Sequence, residues 1–189
     1  MKKIVTAVFL LPLLTGCLTA TVPDVARWPV EYRPVKAGQV GRPSFGVVRL
    51  SQLVVRSPYN TEGLAVLRAN GTVAFDPFNE YAAQPSFLLR GIVLDALTAS
   101  GLFDSVIGAT SKVSEDYAVE VSVTRLALDC RKEGERKAVA EVFLRLVKDE
   151  SIAKVADGSA AIDAADGNYG EAFSRALSVA LIDATGRLR

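Results

Sequence analysis

The stretch from Tyr117 to Ile162 constrains the fold of this chain more than any other. Tyr117, Val119, Val121 and Val123 alternate with Glu120, Ser122 and Thr124, the two-residue period of a strand with one dry and one wet face. At Arg125 the phase slips, and Leu126 and Leu128 take over the apolar positions. A β-bulge at that point accounts for the slip. After the polar turn from Arg131 to Glu135, residues Ala138, Ala140, Val142, Leu144 and Leu146 alternate with Glu141 and Arg145. A turn at Asp149-Glu150 leads into a third strand from Ser151 to Ala156, extended to Ile162. Strands joined by such short turns form an antiparallel meander, and its apolar face needs a cover.

Two helices supply that cover. The first opens at Pro85 or Ser86 and ends near Ser100, with Gly101 as its stop. Phe87, Leu88, Leu89, Ile92, Val93, Leu94, Ala96 and Leu97 give it a wide apolar face, with Arg90, Asp95 and Thr98 on the wet side. The second opens at Asn168, an N-cap with Glu171 three residues on. It carries Tyr169, Phe173, Ala176, Leu177, Ala180, Leu181 and Ala184 at helical spacing, and Gly186 ends it. Before the first helix, Phe45 to Leu50, running on towards Val55, reads as a strand. The segments Leu64–Leu67 and Thr72–Phe75 flank Asn70-Gly71, a hairpin signal. Phe75 to Gln84 reads as a polar, proline-broken loop rich in aromatics, and Leu102 to Ile107 as a short strand. The expected fold is α+β: a mixed, largely antiparallel sheet of about six strands with two amphipathic helices on one face.

The leader is equally informative. Met1-Lys2-Lys3 is followed by an apolar run from Ile4 to Leu14 and then by Thr15-Gly16-Cys17. A positive start, a short apolar core and small residues before a cysteine form the pattern of a bacterial lipoprotein signal. The run is shorter than the roughly 20 residues of a spanning helix. The reading is cleavage between Gly16 and Cys17 and acylation of Cys17. Residues 1–16 are then a signal peptide and residues 17–43, with Pro23, Pro29, Pro34, Pro43, Gly38 and Gly41, a lipidated tether. Residues 44–189 form one periplasmic domain. Trp28 and Tyr32 pin the tether to the domain or rest at the lipid interface, and Glu31-Tyr32-Arg33 is a candidate for a sheet edge. Two or three acyl chains hold a protein on a membrane without a spanning helix. Leu18, rather than an aspartate, follows Cys17, which favours the outer membrane, facing the periplasm.

Composition narrows the chemistry. Histidine is absent, which removes Ser-His-Asp and Cys-His catalysis and histidine-containing zinc sites; no metal or cofactor is expected. Without Lys2 and Lys3 the chain carries 20 basic and 21 acidic residues, a balance that argues against nucleic acid. With Cys17 acylated, Cys130 has no disulfide partner. It lies beside Arg131 and Lys132, two cations able to lower a thiol pKa, so it is either a reactive thiol or a turn cysteine. A carboxylate enzyme would draw on Asp76, Glu80, Asp95, Asp104, Glu115, Asp116, Glu120 or Asp129, none singled out by spacing. A lipid carrier would use the aromatics Phe75, Phe78, Tyr81 and Phe87. The candidate partner or lipid contacts are Tyr59, Asn60, Phe78 and Tyr81.

The stretch from Val66-Leu67-Arg68 to Gly101-Leu102-Phe103-Asp104-Ser105-Val106 resembles the PqiC-like family of ABC-type transport auxiliary lipoproteins. In that family a strand leads into an aromatic loop and a helix ending in a Gly-Leu-Phe-x-x-Val pattern. Glu80-Tyr81-Ala82-Ala83-Gln84-Pro85 stands where the family often has Arg-Trp-Ala-x-Pro, so Tyr81 takes the place of the aromatic. The resemblance implies a TolB N-terminal-domain-like fold. It also implies a non-catalytic lipoprotein that serves an ABC permease, its ATPase and an MCE (mammalian cell entry) protein, and that can form a homo-oligomeric ring. Such systems move phospholipids or other hydrophobic molecules between the inner and outer membranes.

Overall fold

A computed structural model describes residues 24–35 and 43–189. The elements are β1 (Ala26–Trp28), β2 (Phe45–Val55), β3 (Gly63–Arg68), β4 (Val73–Tyr81), α1 (Pro85–Ala99), β5 (Phe103–Ile107), β6 (Tyr117–Cys130), β7 (Lys137–Lys148), β8 (Ser151–Asp163) and α2 (Tyr169–Gly186). The class is mixed α+β, and the sheet has eight strands rather than about six. β6, β7 and β8 form the antiparallel meander, and the register of β6 slips between Val123 and Arg125, where the phase change placed a bulge. The other edge of β6 is shared: β2 pairs in parallel with its first half and β3 in parallel with its end. β5 lies parallel on β2, β4 closes a hairpin on β3, and β1 runs parallel on β4.

The core lies on one face of this sheet. Val119, Val121, Val123, Leu126 and Leu128 of β6 and Ala138, Ala140, Val142, Leu144 and Leu146 of β7 are buried with both helices in one cluster. α2 sits so close to β8 that a side chain at Gly158 would run into the backbone of Ala180 and Ala184. Only a residue without a Cβ allows that approach. Asn168 caps α2 as its spacing predicts, its Oδ1 accepting from Glu171 N–H (3.3 Å). α1 buries Leu89, Ile92, Val93, Ala96 and Leu97, but Phe87 of the predicted apolar face points out, 75% exposed. Opposite the helices, Ala65, Leu67 and Ala127 form a small separate cluster under Tyr59.

Three expectations need correction. Phe75 to Tyr81 is strand, not loop. Pro77 is tolerated because the ladder between β3 and β4 is interrupted between Phe75 and Glu80. The sheet edge in the amino-terminal segment is Ala26–Trp28, not Glu31-Tyr32-Arg33. Residues 24–35, inside the stretch read as tether, are in fact built into the domain. Trp28 Nε1 donates to Asn79 Oδ1 (2.8 Å) and its ring meets Tyr169 edge-on, with centroids 5.8 Å apart. Glu31 and Arg33 then cross α2 through side-chain hydroxyls: Glu31 N–H donates to Ser174 Oγ (3.0 Å) and Arg33 N–H to Ser178 Oγ (2.9 Å). Gly170, one turn earlier, leaves room for Trp28 and Pro29. Arg33 closes the strap with Glu171 (2.8 Å).

Candidate functional site

The four candidate contact residues do not converge on one patch. Tyr81 is 1% exposed, packed edge-on against Phe173 of α2 at 5.4 Å between centroids. Its hydroxyl is buried with no hydrogen-bond partner among the described residues, and burial pushes its phenol pKa up. Asn60 caps α1 from a distance. Gln84, the residue before the helix, makes no side-chain cap, and Asn60 Oδ1 accepts from Ser86 N–H (3.1 Å) while Gln84 Nε2 donates to the Asn60 carbonyl (3.2 Å). A helix start leaves such donors unmatched, so the side chain of Asn60 is occupied by folding. Tyr59 is half-buried and packs against both apolar clusters.

Phe78 alone faces solvent, 51% exposed. It lies three residues before the buried Tyr81, so strand alternation turns it to the opposite face. Asp76 holds the backbone there, its Oδ1 accepting from Phe78 N–H (2.8 Å) and Asn79 Nδ2 (3.0 Å). Val73 and Phe75, opposite Leu67 and Ala65 in register, extend the stripe; Phe75 is 46% exposed. The interruption of the β3–β4 ladder between Phe75 and Glu80, where two residues of β3 span five of β4, shifts the alternation and brings Phe78 to the same face as Val73 and Phe75. The strand pattern carried this signal, but reading Phe75 to Gln84 as loop hid it.

The other candidates have structural occupations. Cys17 and Gly16 lie outside the described residues. Cys130 ends β6, half-buried. Burial pushes its thiol pKa up, Arg136 opposes that, and Asp129 and Asp76 reinforce it. The two cations beside it are engaged elsewhere: Arg131 is held by both carboxylate oxygens of Asp129, and Lys132 donates to Glu135. None of the eight carboxylates named above is buried. Glu80 pairs with Arg27, Glu115 with Arg49, Glu120 with Arg145 and Asp129 with Arg131, and Asp116 accepts from Val47 N–H (2.8 Å). Arg131 and Arg49 hold the carboxyls of Asp129 and Glu115 below their ordinary range, the opposite of what a general acid needs. Arg49 was not foreseen. Its guanidinium gathers the carbonyls of Gly108, Ser111 and Val113 and the carboxylate of Glu115, at 2.6–3.2 Å, and so ties down the loop before β6.

Surface concavities are shallow and polar. One of about 450 Å³ on the open face is lined by Arg56, Thr124, Glu141, Phe143, Arg145 and Asp157, and one of about 350 Å³ by Asp129, Arg131, Lys132, Glu135 and Lys137. Among the described residues, no group of three acids or thiols is placed to hold a metal ion, and no helix is long and apolar enough to cross a membrane.

No protein-family model matches the sequence, and no curated protein matches it at a significant level. Solved structures do match the fold. A Xanthomonas campestris protein of the family DUF330 aligns with a TM-score of 0.59 at 15% identity, over 85% of this chain and 91% of that one. An uncharacterised protein aligns with a TM-score of 0.52 at 13% identity, over 82% and 97%. At such identities the likeness is one of fold.

Proposed function

We propose that this chain is a lipid-anchored, non-catalytic accessory subunit of an ABC-type, MCE-containing envelope transport system. It would serve the movement of phospholipids or other hydrophobic molecules between the inner and outer membranes. The observation that carries the reading is Leu14-Thr15-Gly16-Cys17 behind a short apolar leader, which marks Cys17 for acylation and a membrane-bound life. Three further observations support it. The fold matches that of a DUF330 protein, the family of the PqiC-like lipoproteins. The segment after the anchor is strapped onto the domain rather than left free. The eight acidic side chains considered for catalysis are exposed or half-exposed, and four of them are paired with arginines.

A carrier holding lipid in a pocket of its own aromatics is less well supported. Tyr81 is in the core, while Phe75, Phe78 and Phe87 point into solvent. The test is capture of the tagged, full-length protein from host membranes in mild detergent. An MCE protein and the permease or ATPase of one system are the expected co-purifying partners. Recovery of the acylated protein without any of them overturns the reading.

A further inference from the structure

The open-face stripe on β4 lies where the anchoring segment enters the domain. β1 runs parallel to β4 with Ala26 opposite Asn79, so Val25 and Asp24, which precede it, lie on the Phe78 side of that pairing. Six residues lie between Cys17 and Asp24, a span of at most about 25 Å when fully extended. An acylated Cys17 therefore keeps this end of the domain within reach of the bilayer. The strap on α2 fixes which end that is.

We infer that the Val73–Phe75–Phe78 stripe docks on the surface of the bilayer that holds the Cys17 acyl chains, with the two phenylalanines entering the interface between headgroups and hydrocarbon. This inference rests on the anchoring proposed above and deepens it. Half-exposed aromatics beside an anchoring point suit that interface. Charge points to an apolar rather than an electrostatic mode. At the same end of the sheet, Arg131 is paired with Asp129 and Lys132 and Lys137 share Glu135, so the exposed Arg68 at the end of β3 falls well short of the cluster of cations that binds anionic lipid. The occupant is therefore a neutral phospholipid surface.

The experiment uses the full-length acylated protein, purified in detergent and reconstituted into phosphatidylcholine vesicles whose acyl chains are brominated near the headgroup. F78W reports on the stripe, and E150W, in the turn at the opposite end of β7, is the control. Trp28, the one native tryptophan, gives the background measured in the parent. The expected result is a blue-shifted F78W emission that loses roughly half its intensity to the bromines, unchanged by salt, with E150W unaffected. F75D in the F78W background should reduce that quenching while the protein still floats with the vesicles. Mass spectrometry of the amino-terminal peptide is read first. If Cys17 carries no acyl group, the anchoring and the docking both fall. If it is acylated and F78W is unquenched, the docking alone falls. A blue shift without quenching that grows with protein density places a second copy on the stripe and overturns the inference. Quenching that requires anionic lipid or vanishes in salt overturns it too.

Discussion

Tyr81 and Phe78 sit three residues apart on one strand, yet the two faces of the sheet treat them oppositely. On the helix face Tyr81 is enclosed by Phe173 and the rest of the main cluster. On the open face Phe78 has no cover. Burial is decided by what the opposite layer supplies: α1 and α2 pack only one side of the sheet, and the other is closed locally by Tyr59 over Ala65, Leu67 and Ala127. Residues on the helix face should therefore answer for stability, and residues on the open face for association.

The sharpest break of this comparison is Phe173→Ala against Phe78→Ala. Phe173 is fully buried in α2, and its truncation should cost about 3–5 kcal/mol by urea unfolding. Phe78→Ala should stay within about 0.5 kcal/mol. Equal losses would mean that the open face is packed. Removing both strap hydroxyls, S174A with S178A, leaves two part-buried N–H groups without acceptors. That should cost roughly 1–3 kcal/mol for each group and speed amide exchange at Glu31 and Arg33 more than in β7. Asn60→Ala should cost about 1 kcal/mol through the start of α1, with Phe78 accessibility unchanged. Tyr81→Phe removes a buried hydroxyl that has no described partner and should leave stability level or raise it by up to about 1 kcal/mol. A clear loss would reveal a partner for that hydroxyl.

The smallest effects are those of pH. Hydrogen bonds from Lys132 and Lys137 lower the Glu135 carboxyl from 4.5 to about 2. Its folded-state value lies below its unfolded one, so its contribution is complete above the ordinary carboxylate range and is lost as the pH falls from 4.5 towards about 2. Glu135→Gln should flatten that limb of the stability profile. The Cys130 thiol, raised by burial, should be alkylated with a pH midpoint above that of a free thiol, the reverse of an activated cysteine.

Legibility followed the range of the interaction. The bulge at Arg125, the hairpin at Asn70-Gly71, the Asn168 cap and both helices were readable because each depends on neighbours a few residues away. β1 was not. Its three residues pair with Asn79, Glu80 and Tyr81 far along the chain, and the flanking Pro23 and Pro29 and the lack of alternation imitate a linker. β4 was cut short at Phe75 because Pro77 breaks the local strand pattern, whereas the interrupted ladder with β3 absorbs it. Among the candidate contacts, Asn60 looked free because its role, capping a helix whose first residue lies 25 positions later, leaves no mark in its own neighbourhood.

The sequence by itself determined the α+β class, the meander and its bulge, and the ends of both helices. Each is written in side-chain period or in a short motif, and neither needs a distant partner to be recognised. Tertiary structure alone decided that residues 24–35 belong to the domain, and that Tyr81 is buried while Phe78 is not. The alternation of β4 assigns those two residues to opposite faces but does not say which face is covered. Only the packing of Phe173 against Tyr81, from a helix near the other end of the chain, resolves that symmetry.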